Sequence, residues 1–273
     1  MLYHKHIPLP PLSHYIDCIL YIEGNNKGIG FPKTAMSLVF NLNDSFKLYT
    51  DSQFTTYTDY KKHWIAGLQT KPSYVESYGQ SKMIVVQFKI KGAYAFLHQP
   101  LHSFADSYIP LDCVYNQYAD ETWEQLNEAT TIPQKIQITE QFLIRNLLSG
   151  KQQKSIDLTP IDSLFSNNQG PSIHEICRQH RISRKHLNFL FKEYLGVSPK
   201  MMSSLHRLQT VLKTISQSKP GTLTSFAHEL DYFDQAHFNN DFKRFTDLRP
   251  TDYLKNVELQ PSMKIIPHFL PVA

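Results

Sequence analysis

An internal repeat in the last hundred residues constrains the fold of this chain more than any other feature. Residues 172–177 align with residues 222–227 at an offset of 50, and the offset becomes 51 after one extra residue, Phe233. Pro199 and Pro250 then align near the end of the repeat. Because apolar positions fall on apolar positions and helix-start residues on helix-start residues, the pattern indicates one supersecondary unit that is used twice.

The first copy predicts two helices separated by a tight turn. Ser172 and Glu175 have the spacing of a capping box, in which the two side chains satisfy free N–H groups at a helix start. A helix is therefore expected from Ser172 through His180. Ser183 is placed to cap a second helix and Gly196 to end it. The apolar residues between them recur every three or four positions, which predicts one buried face.

A long third helix is predicted from Pro199 to about Ser216, because proline suits the first position of a helix. In the second copy a helix is predicted from Thr222 through Leu230, and Asp234 is placed to cap the helix that follows. The buried face of that capped helix is expected to hold Phe238, Phe242 and Phe245. Helix, tight turn and capped helix form the helix-turn-helix arrangement, whose second helix enters the major groove of DNA. The pattern alone leaves open a repeat of helical hairpins that binds protein.

The side chains expected outside the apolar faces favour DNA as the partner. Arginine and lysine suit guanine and phosphate, and asparagine and glutamine suit the adenine edge. Their clustering on both capped helices is what favours this interpretation. The candidate DNA-binding residues are Arg184, Lys185 and Asn188 on the first capped helix and Gln235, His237, Asn239, Asn240, Lys243 and Arg244 on the second.

The net charge of +4 is unevenly distributed along the chain. Residues 1–169 carry 14 basic and 15 acidic side chains, whereas residues 170–256 carry 13 basic and 8 acidic ones. A basic C-terminal part joined to a neutral one is typical of a DNA-binding appendage. Polar segments predict the domain boundaries: a sensor or dimerisation domain at 1–150, a linker region at 151–170, the DNA-binding domain at 171–256 and a C-terminal tail at 257–273.

The N-terminal part is predicted to be an α+β domain. Short runs rich in β-branched and aromatic residues indicate strands, and they are spaced as in a small antiparallel barrel or sandwich. Beyond Gly92 the apolar spacing becomes helical. The expected strands lie at 36–42, 47–50, 64–68, 74–79 and 82–90, and the expected helices at 115–129 and 133–148. The whole chain is thus an α+β domain followed by an all-α domain with two helix-turn-helix units.

The second copy of the repeat resembles the AraC/XylS family of transcriptional regulators. Residues 232–245, YFDQAHFNNDFKRF, and residues 248–253, LRPTDY, are similar to the family signature in its second helix-turn-helix unit. The resemblance covers about residues 170–256. The chain departs from the family pattern at Asp231, where glycine is usual, and at Val211, where alanine is usual. Phe189 also departs, and it either touches a thymine methyl or packs inward, so it is not among the candidate contacts.

The resemblance implies a two-domain transcription factor whose partner is double-stranded DNA. The N-terminal part is similar to the sensor-like domain of one branch of the family, notably around Pro32, residues 38–42 and residues 64–68. That similarity implies regulation and leaves open a small-molecule effector, a homodimer and a contact with RNA polymerase. The alternative is a regulator without a ligand, whose N-terminal domain only dimerises or docks on a partner protein.

The sequence gives little support for an enzyme, a metal site or a membrane segment. His63 is isolated, His98 and His102 are separated by a proline, and the N-terminal His4 and His6 are expected to lie in a frayed terminus. We therefore expect no catalytic activity, no cofactor and no metal. The three scattered cysteines and the absence of a signal peptide or long apolar run suggest a reduced, cytoplasmic protein. These cysteines are Cys18, Cys113 and Cys177.

Overall fold

The computed structural model describes residues 2–24, 27–42, 45–77, 81–148, 156–166, 171–217, 235–259 and 268–272. The strands are β1 Leu2–His6, β2 Ile16–Glu23, β3 Lys27–Gly30, β4 Ser37–Asn41, β5 Phe46–Tyr49, β6 Tyr57–Tyr60, β7 His63–Ala66, β8 Ser73–Ser77, β9 Lys82–Phe88, β10 Tyr108–Pro110 and β11 Phe269–Pro271. The helices are α1 Tyr94–Leu97, α2 Asp112–Tyr115, α3 Gln117–Glu128, α4 Ile132–Leu148, α5 Thr159–Ser163, α6 Ile173–Gln179, α7 Arg184–Leu195, α8 Pro199–Gln217, α9 Gln235–Thr246 and α10 Pro250–Leu259.

Two antiparallel sheets form the N-terminal part. One has the strand order β1-β2-β9-β4-β7-β10 and the other the order β11-β3-β8-β5-β6. A small apolar cluster joins Val39 and Trp64 of the first sheet to Phe46 and Val75 of the second, which shows that the sheets face each other. Strands whose side chains alternate between faces can bury one face in such a sandwich. The predicted α+β fold is therefore confirmed.

The helices of the N-terminal part follow the sheets and pack on the outer side of β4. Phe142 of α4 lies edge-to-face against Phe40, with 5.4 Å between ring centroids, and both side chains are buried. The predicted helix at 115–129 is interrupted at Asn116, whose φ of 51° ends one helix before α3 begins. The predicted helix at 133–148 is confirmed as α4.

The N-terminus is ordered by pairing, so the expectation that it frays was wrong. His4 and His6 lie in β1, which pairs with β2 over five residues. His6 Nε2 lies 2.9 Å from Glu140 Oε1 on α4. Neither β1 nor β2 was predicted, because β1 is stabilised by hydrogen bonds from β2, in which residues 18–22 are apolar without alternation.

The C-terminal tail returns to the N-terminal part and adds a strand to it. Residues of β11 pair with β3, and Leu270 is buried there. The pairing is extended by Phe31 N–H, which donates to the His268 carbonyl at 2.8 Å, and by Val272 N–H, which donates to the Lys27 carbonyl at 2.9 Å. The chain therefore enters the C-terminal helices from the sheets and comes back to the sheets at its end.

Gly28 provides the close approach that this added strand needs. A Cβ atom at Gly28 would lie 2.3 Å from the Leu270 carbonyl oxygen and 2.6 Å from Phe269 Cζ. Gly30, two residues further along β3, has no such restriction, because the nearest atom to its Cβ would be 3.7 Å away.

We predict that Gly28→Ala displaces β11 and lowers the free energy of unfolding by about 1–3 kcal/mol, the usual cost of overpacking. Gly30→Ala is the matched control and should change stability by no more than about 1 kcal/mol. Thermal unfolding gives the stability, and limited proteolysis should cut the C-terminal segment of Gly28→Ala first. Equal behaviour of the two variants would contradict the tight fit of β11 on β3.

Candidate nucleic-acid interface

The two helices of the first repeat begin as the sequence predicts. Ser172 and Glu175 form the capping box: Glu175 N–H donates to Ser172 Oγ at 3.2 Å, and Ser172 N–H donates to Glu175 Oε2 at 2.7 Å. Ser183 Oγ accepts from His186 N–H at 3.1 Å and so caps α7. These local bonds satisfy N–H groups that a helix start leaves free.

One face of α7 is buried and the opposite face is exposed. The buried side chains are Leu187, Leu190, Phe191, Tyr194 and Leu195. The three predicted contacts on α7 (Arg184, Lys185 and Asn188) are all exposed. Asn188 Nδ2 donates to the Arg184 carbonyl at 3.1 Å, which restrains the amide near the helix start. The face of α7 that could meet DNA therefore carries two cations and one amide.

The long connecting helix is α8, and it buries an apolar stripe along its length. The fully buried residues are Met202, Leu205, Leu208, Val211, Leu212 and Ile215. An ion pair joins α8 to α9, with 3.9 Å between Arg207 Nη2 and Asp241 Oδ2. This ion pair is one of the contacts between α9 and the connecting helix.

The second capped helix, α9, is also divided into a buried and an exposed face. Phe238, Phe242 and Phe245 are buried, as predicted. The six predicted contacts on this helix are exposed: Gln235, His237, Asn239, Asn240, Lys243 and Arg244. The predicted helix from Thr222 through Leu230, the cap at Asp234 and the departure at Asp231 lie outside the described residues.

The exposed faces of both helices are electropositive. Asp241 is the acidic side chain of α9, and it lies 3.9 Å from Arg207 and 3.7 Å from His237 Nε2. Its charge is therefore balanced by Arg207 of α8. Lys243 and Arg244 remain exposed at the end of the same helix. Such a surface attracts polyanions over a distance of about 10 Å at ordinary ionic strength.

The N-terminal domain holds the first unit at the end of α7. The rings of Tyr94 and Tyr194 lie 4.3 Å apart, and Tyr94 Oη donates to Glu193 Oε1 at 3.2 Å. Gly196 ends α7 with a φ of 90°, and a Cβ there would lie 2.9 Å from the Leu101 carbonyl oxygen. The first unit thus packs closely against the N-terminal domain.

The second unit is held at the end of α9. Tyr74 Oη on β8 donates to Asp247 Oδ2 at 2.8 Å, and the rings of Phe31 and Tyr253 lie 5.8 Å apart, edge to face. Gln209 Nε2 on α8 donates to the Pro32 carbonyl at 3.1 Å. One large apolar cluster runs from the N-terminal domain into both units.

The two contacts occupy equivalent positions of the repeat. Gly196 and Asp247 are 51 residues apart, which is the offset of the second half of the repeat. Both have positive φ, 90° and 60°, and their N–H groups donate to the carbonyls of Lys192 and Lys243, themselves 51 residues apart. The N-terminal domain therefore contacts the C-terminal end of each recognition helix. Sequence reasoning missed these contacts, since a helix-ending residue carries no sign of what packs on it.

Burial at this contact surface raises the pKa of two tyrosine hydroxyls. Desolvation, strengthened by the hydrogen bond to Asp247, raises the pKa of Tyr74 well above its ordinary value. Desolvation, followed by the charges of Tyr194 and Glu193, raises the pKa of Tyr94 to about 12. Both side chains therefore act as hydrogen-bond donors across the neutral pH range.

Part of the predicted linker region is helical. Residues Thr159–Ser163 form α5, which buries Ile161 and places Asp162 beside Lys91 of the N-terminal domain, with 2.6 Å between Lys91 Nζ and Asp162 Oδ1. Ser163 Oγ lies 2.7 Å from His180 Nε2 at the end of α6. This short helix therefore touches both domains, while residues 151–155 lie outside the description.

The described residues offer little evidence of another chemical site. They contain no group of three or more histidine, cysteine or acidic residues that could hold a metal ion, and no helix among them is long and apolar enough to cross a membrane. Cys18, Cys113 and Cys177 are free thiols. His63 is buried, and burial lowers its pKa even though Asp120 lies 3.3 Å from its Nε2.

Two family models match the chain. One, described as a helix-turn-helix domain, matches residues 176–256, and the other, described as a domain of unknown function, matches residues 4–110. The first match covers α7, α8 and α9. The second covers most of the two sheets.

Two curated relatives are similar to the chain. An uncharacterized HTH-type transcriptional regulator of Haemophilus influenzae is 27% identical over 122 residues, which are 45% of this chain and 41% of the relative. The raffinose operon transcriptional regulatory protein of Pediococcus pentosaceus is 27% identical over 164 residues, which are 60% of this chain and 53% of the relative. The chain spans about half the length of the curated relatives it matches.

Solved structures also match the chain. A structure of ToxT from Vibrio cholerae covers 86% of this chain and 98% of its own, with a TM-score of 0.49 and 12% identity. The AraC-like transcriptional activator CuxR covers 67% of this chain and 73% of its own, with a TM-score of 0.29 and 14% identity.

We predict that Gly196→Ala destabilises the protein by about 1–3 kcal/mol, because the left-handed backbone disfavours a side chain and the added Cβ meets the Leu101 carbonyl. Gly196→Asn should also destabilise the protein. Asparagine tolerates the left-handed backbone, but its Cβ still meets the Leu101 carbonyl. Lys200→Ala, at an exposed position of α8, is the control and should stay within about 0.5 kcal/mol. Chemical denaturation gives these values. Full rescue by asparagine would show that the contact with the N-terminal domain is unimportant.

Proposed function

The chain belongs to the AraC/XylS family of transcriptional regulators, and on that premise we propose that it binds specific duplex DNA sequences through α7 and α9. The observation that carries the proposal is that both helices expose their polar and basic faces while the N-terminal domain is docked on their far ends. The surface expected to meet DNA is therefore available in the full chain. Two exposed polar and basic faces favour a nucleic-acid partner over a hairpin repeat that binds protein.

We assign different roles to the exposed side chains. Asn188, Gln235, Asn239 and Asn240 carry amides that match the adenine edge, and arginine or lysine at the helix starts matches guanine. Lys243 and Arg244 lie at the end of α9 and suit phosphates, which position a protein on DNA without selecting its sequence. His237 is held near Asp241 and donates to a base or a phosphate.

The site for one monomer should be asymmetric. Two recognition helices in one chain enter successive turns of the major groove, about 34 Å apart, and together span roughly 20 base pairs. Because α7 and α9 present different side chains, the two half-sites differ. A homodimer would repeat this asymmetric site, and no palindrome within a single site is needed.

We propose that the N-terminal domain regulates binding by fixing both units relative to each other. It contacts the ends of α7 and α9 through Tyr94 and Tyr74, so a change in its shape would alter the spacing of the two helices. Six aromatic residues of the N-terminal part could line an effector pocket: Phe40, Tyr49, Trp64, Tyr74, Tyr78 and Phe88. Tyr78 lies outside the described residues, and the other five are packed in the core. Phe46 and Trp64, for example, stack at 5.0 Å between the sheets. This packing favours the second candidate, a domain that docks or dimerises without a small-molecule ligand.

The proposal also covers catalytic activity, cofactors and a contact with RNA polymerase. We propose that it has no catalytic activity and takes no cofactor, and that any effect on transcription is exerted through RNA polymerase near the bound site. Selection of bound fragments from random duplex DNA, performed with the full chain, tests the central claim. An enriched asymmetric motif of roughly 20 base pairs supports it, and the recovery of no motif at low salt overturns it.

We predict that Asn240→Ala and Gln235→Ala each relax the sequence preference at one position of the selected site, by about 1–3 kcal/mol where the contact is bidentate. Lys243→Ala should instead weaken binding to all sequences alike and reduce the slope of log affinity against log salt by about 1. Lys61→Ala, an exposed lysine of the N-terminal domain, is the control for charge alone. If Asn240→Ala and Lys243→Ala gave the same profile, the division into base and phosphate contacts would be wrong.

A further inference from the structure

We propose that Phe189 recognises the C5 methyl group of a thymine in the half-site bound by α7. This inference rests on the proposed function and names one base feature that the first unit selects. It adds an apolar contact to a surface whose predicted contacts were all polar or charged.

Phe189 lies on the outer face of α7. Its side chain is 50% exposed, whereas the neighbouring Leu187, Leu190 and Phe191 are fully buried. Among the described residues of α7 and α9, Phe189 is the only large apolar residue whose side chain is exposed. The core has no place for this ring, because the buried stripe is on the opposite side of the helix.

Two lysines flank the ring on the same face. Residues four and three apart are neighbours on a helix surface, which places Lys185 one turn before Phe189 and Lys192 one turn after it. Both lysines are exposed. An apolar ring between two cations suits the major groove, where Lys185 can meet a guanine and Lys192 a phosphate on either side of a methyl group.

The ring is also supported from one side. His186 and Phe189 stack with an angle of 24° between their planes and 6.2 Å between their centroids. His186 is itself held at the start of the helix, where its N–H donates to Ser183 Oγ. This stacking restrains the orientation of the phenyl ring and lowers the entropy lost when it contacts a base.

Thymine is the base whose major-groove edge carries an apolar group. Its C5 methyl is the feature that apolar side chains contact, and the other natural bases offer only donors and acceptors there. A phenyl ring that faced a guanine or a cytosine would cover polar groups without bonding to them, at a cost in affinity. The chemistry of the exposed face thus selects a T·A pair at this position.

The test uses the full chain and the site that it selects from random DNA. Each thymine of that site is replaced in turn by deoxyuridine, which removes the C5 methyl and leaves every hydrogen-bonding group in place. We expect one replacement to weaken binding about fourfold, the factor equivalent to about 0.8 kcal/mol for burying one carbon group. Phe189→Ala should weaken binding to the thymine site by a similar factor or more. The affinity of this variant should no longer change when that one thymine is replaced by deoxyuridine.

Three controls separate recognition from other effects. Phe189→Leu keeps an apolar side chain and should retain part of the response to deoxyuridine. Tyr57→Ala removes an aromatic ring with 45% exposure from the N-terminal sheet and should leave the response unchanged. Thermal unfolding should be the same for Phe189→Ala and the original chain, since the lost ring is exposed and alanine favours helices.

The outcomes are distinct. If Phe189→Ala binds as tightly as the original chain, Phe189 does not contact a thymine methyl and the inference is overturned. The inference is also overturned if every deoxyuridine replacement weakens the binding of Phe189→Ala by the same factor as the binding of the original chain. If the chain selects no sequence at all, the proposed function fails and this inference fails with it. Loss of the response at one thymine in Phe189→Ala alone supports the contact.

Discussion

Burial of one apolar stripe on each recognition helix is the constraint on which the interface depends. In α7 the stripe includes Leu187 and Phe191, and in α9 the equivalent residues are Phe238 and Phe242, all of them buried. A stripe of this kind fixes the rotation of a helix about its axis, because turning it would expose several large side chains at a cost of about 1.5–3 kcal/mol each. The opposite face is then presented to solvent by default. The buried residues of each helix therefore determine which side chains are exposed and available to DNA.

The docking of the N-terminal domain adds a second constraint, which acts on the helix ends. The first unit is held by the close approach of Gly196 to the Leu101 backbone and by Tyr94, which packs on Tyr194 and donates a hydrogen bond to Glu193. The second unit is held in part by a polar contact, from Tyr74 to Asp247. Asp247 can take this role because aspartate tolerates a left-handed backbone better than most residues do. The same turn geometry is thus used twice with different chemistry.

The elements that sequence reasoning predicted are those set by neighbours along the chain. The capping box of Ser172 and Glu175 involves residues three apart, and the stripe of α7 follows from helical spacing. The strands β1 and β11 and the contact between the domains were not predicted, because their partners are distant. Tyr74 and Asp247, for instance, are 173 positions apart. The candidate DNA contacts on α7 and α9 were placed correctly on exposed faces, while Phe189 could not be assigned, since an aromatic residue suits a core equally well.

The return of the chain to the sheets at β11 adds to the contacts that hold the second unit. The contact between Tyr74 and Asp247 is a single hydrogen bond at a partly solvated position, and such a bond contributes only about 0.5–3 kcal/mol. By itself it could not hold a domain. The buried Leu270 and the pairing of β11 with β3, however, fix the chain beyond α10 to the same sheet that carries Tyr74. The edge-to-face packing of Phe31 on Tyr253 and the apolar cluster shared by the two domains hold the second unit to the N-terminal domain as well. The position of the second unit therefore depends mainly on apolar packing and strand pairing, and the hydrogen bond from Tyr74 to Asp247 adds to them.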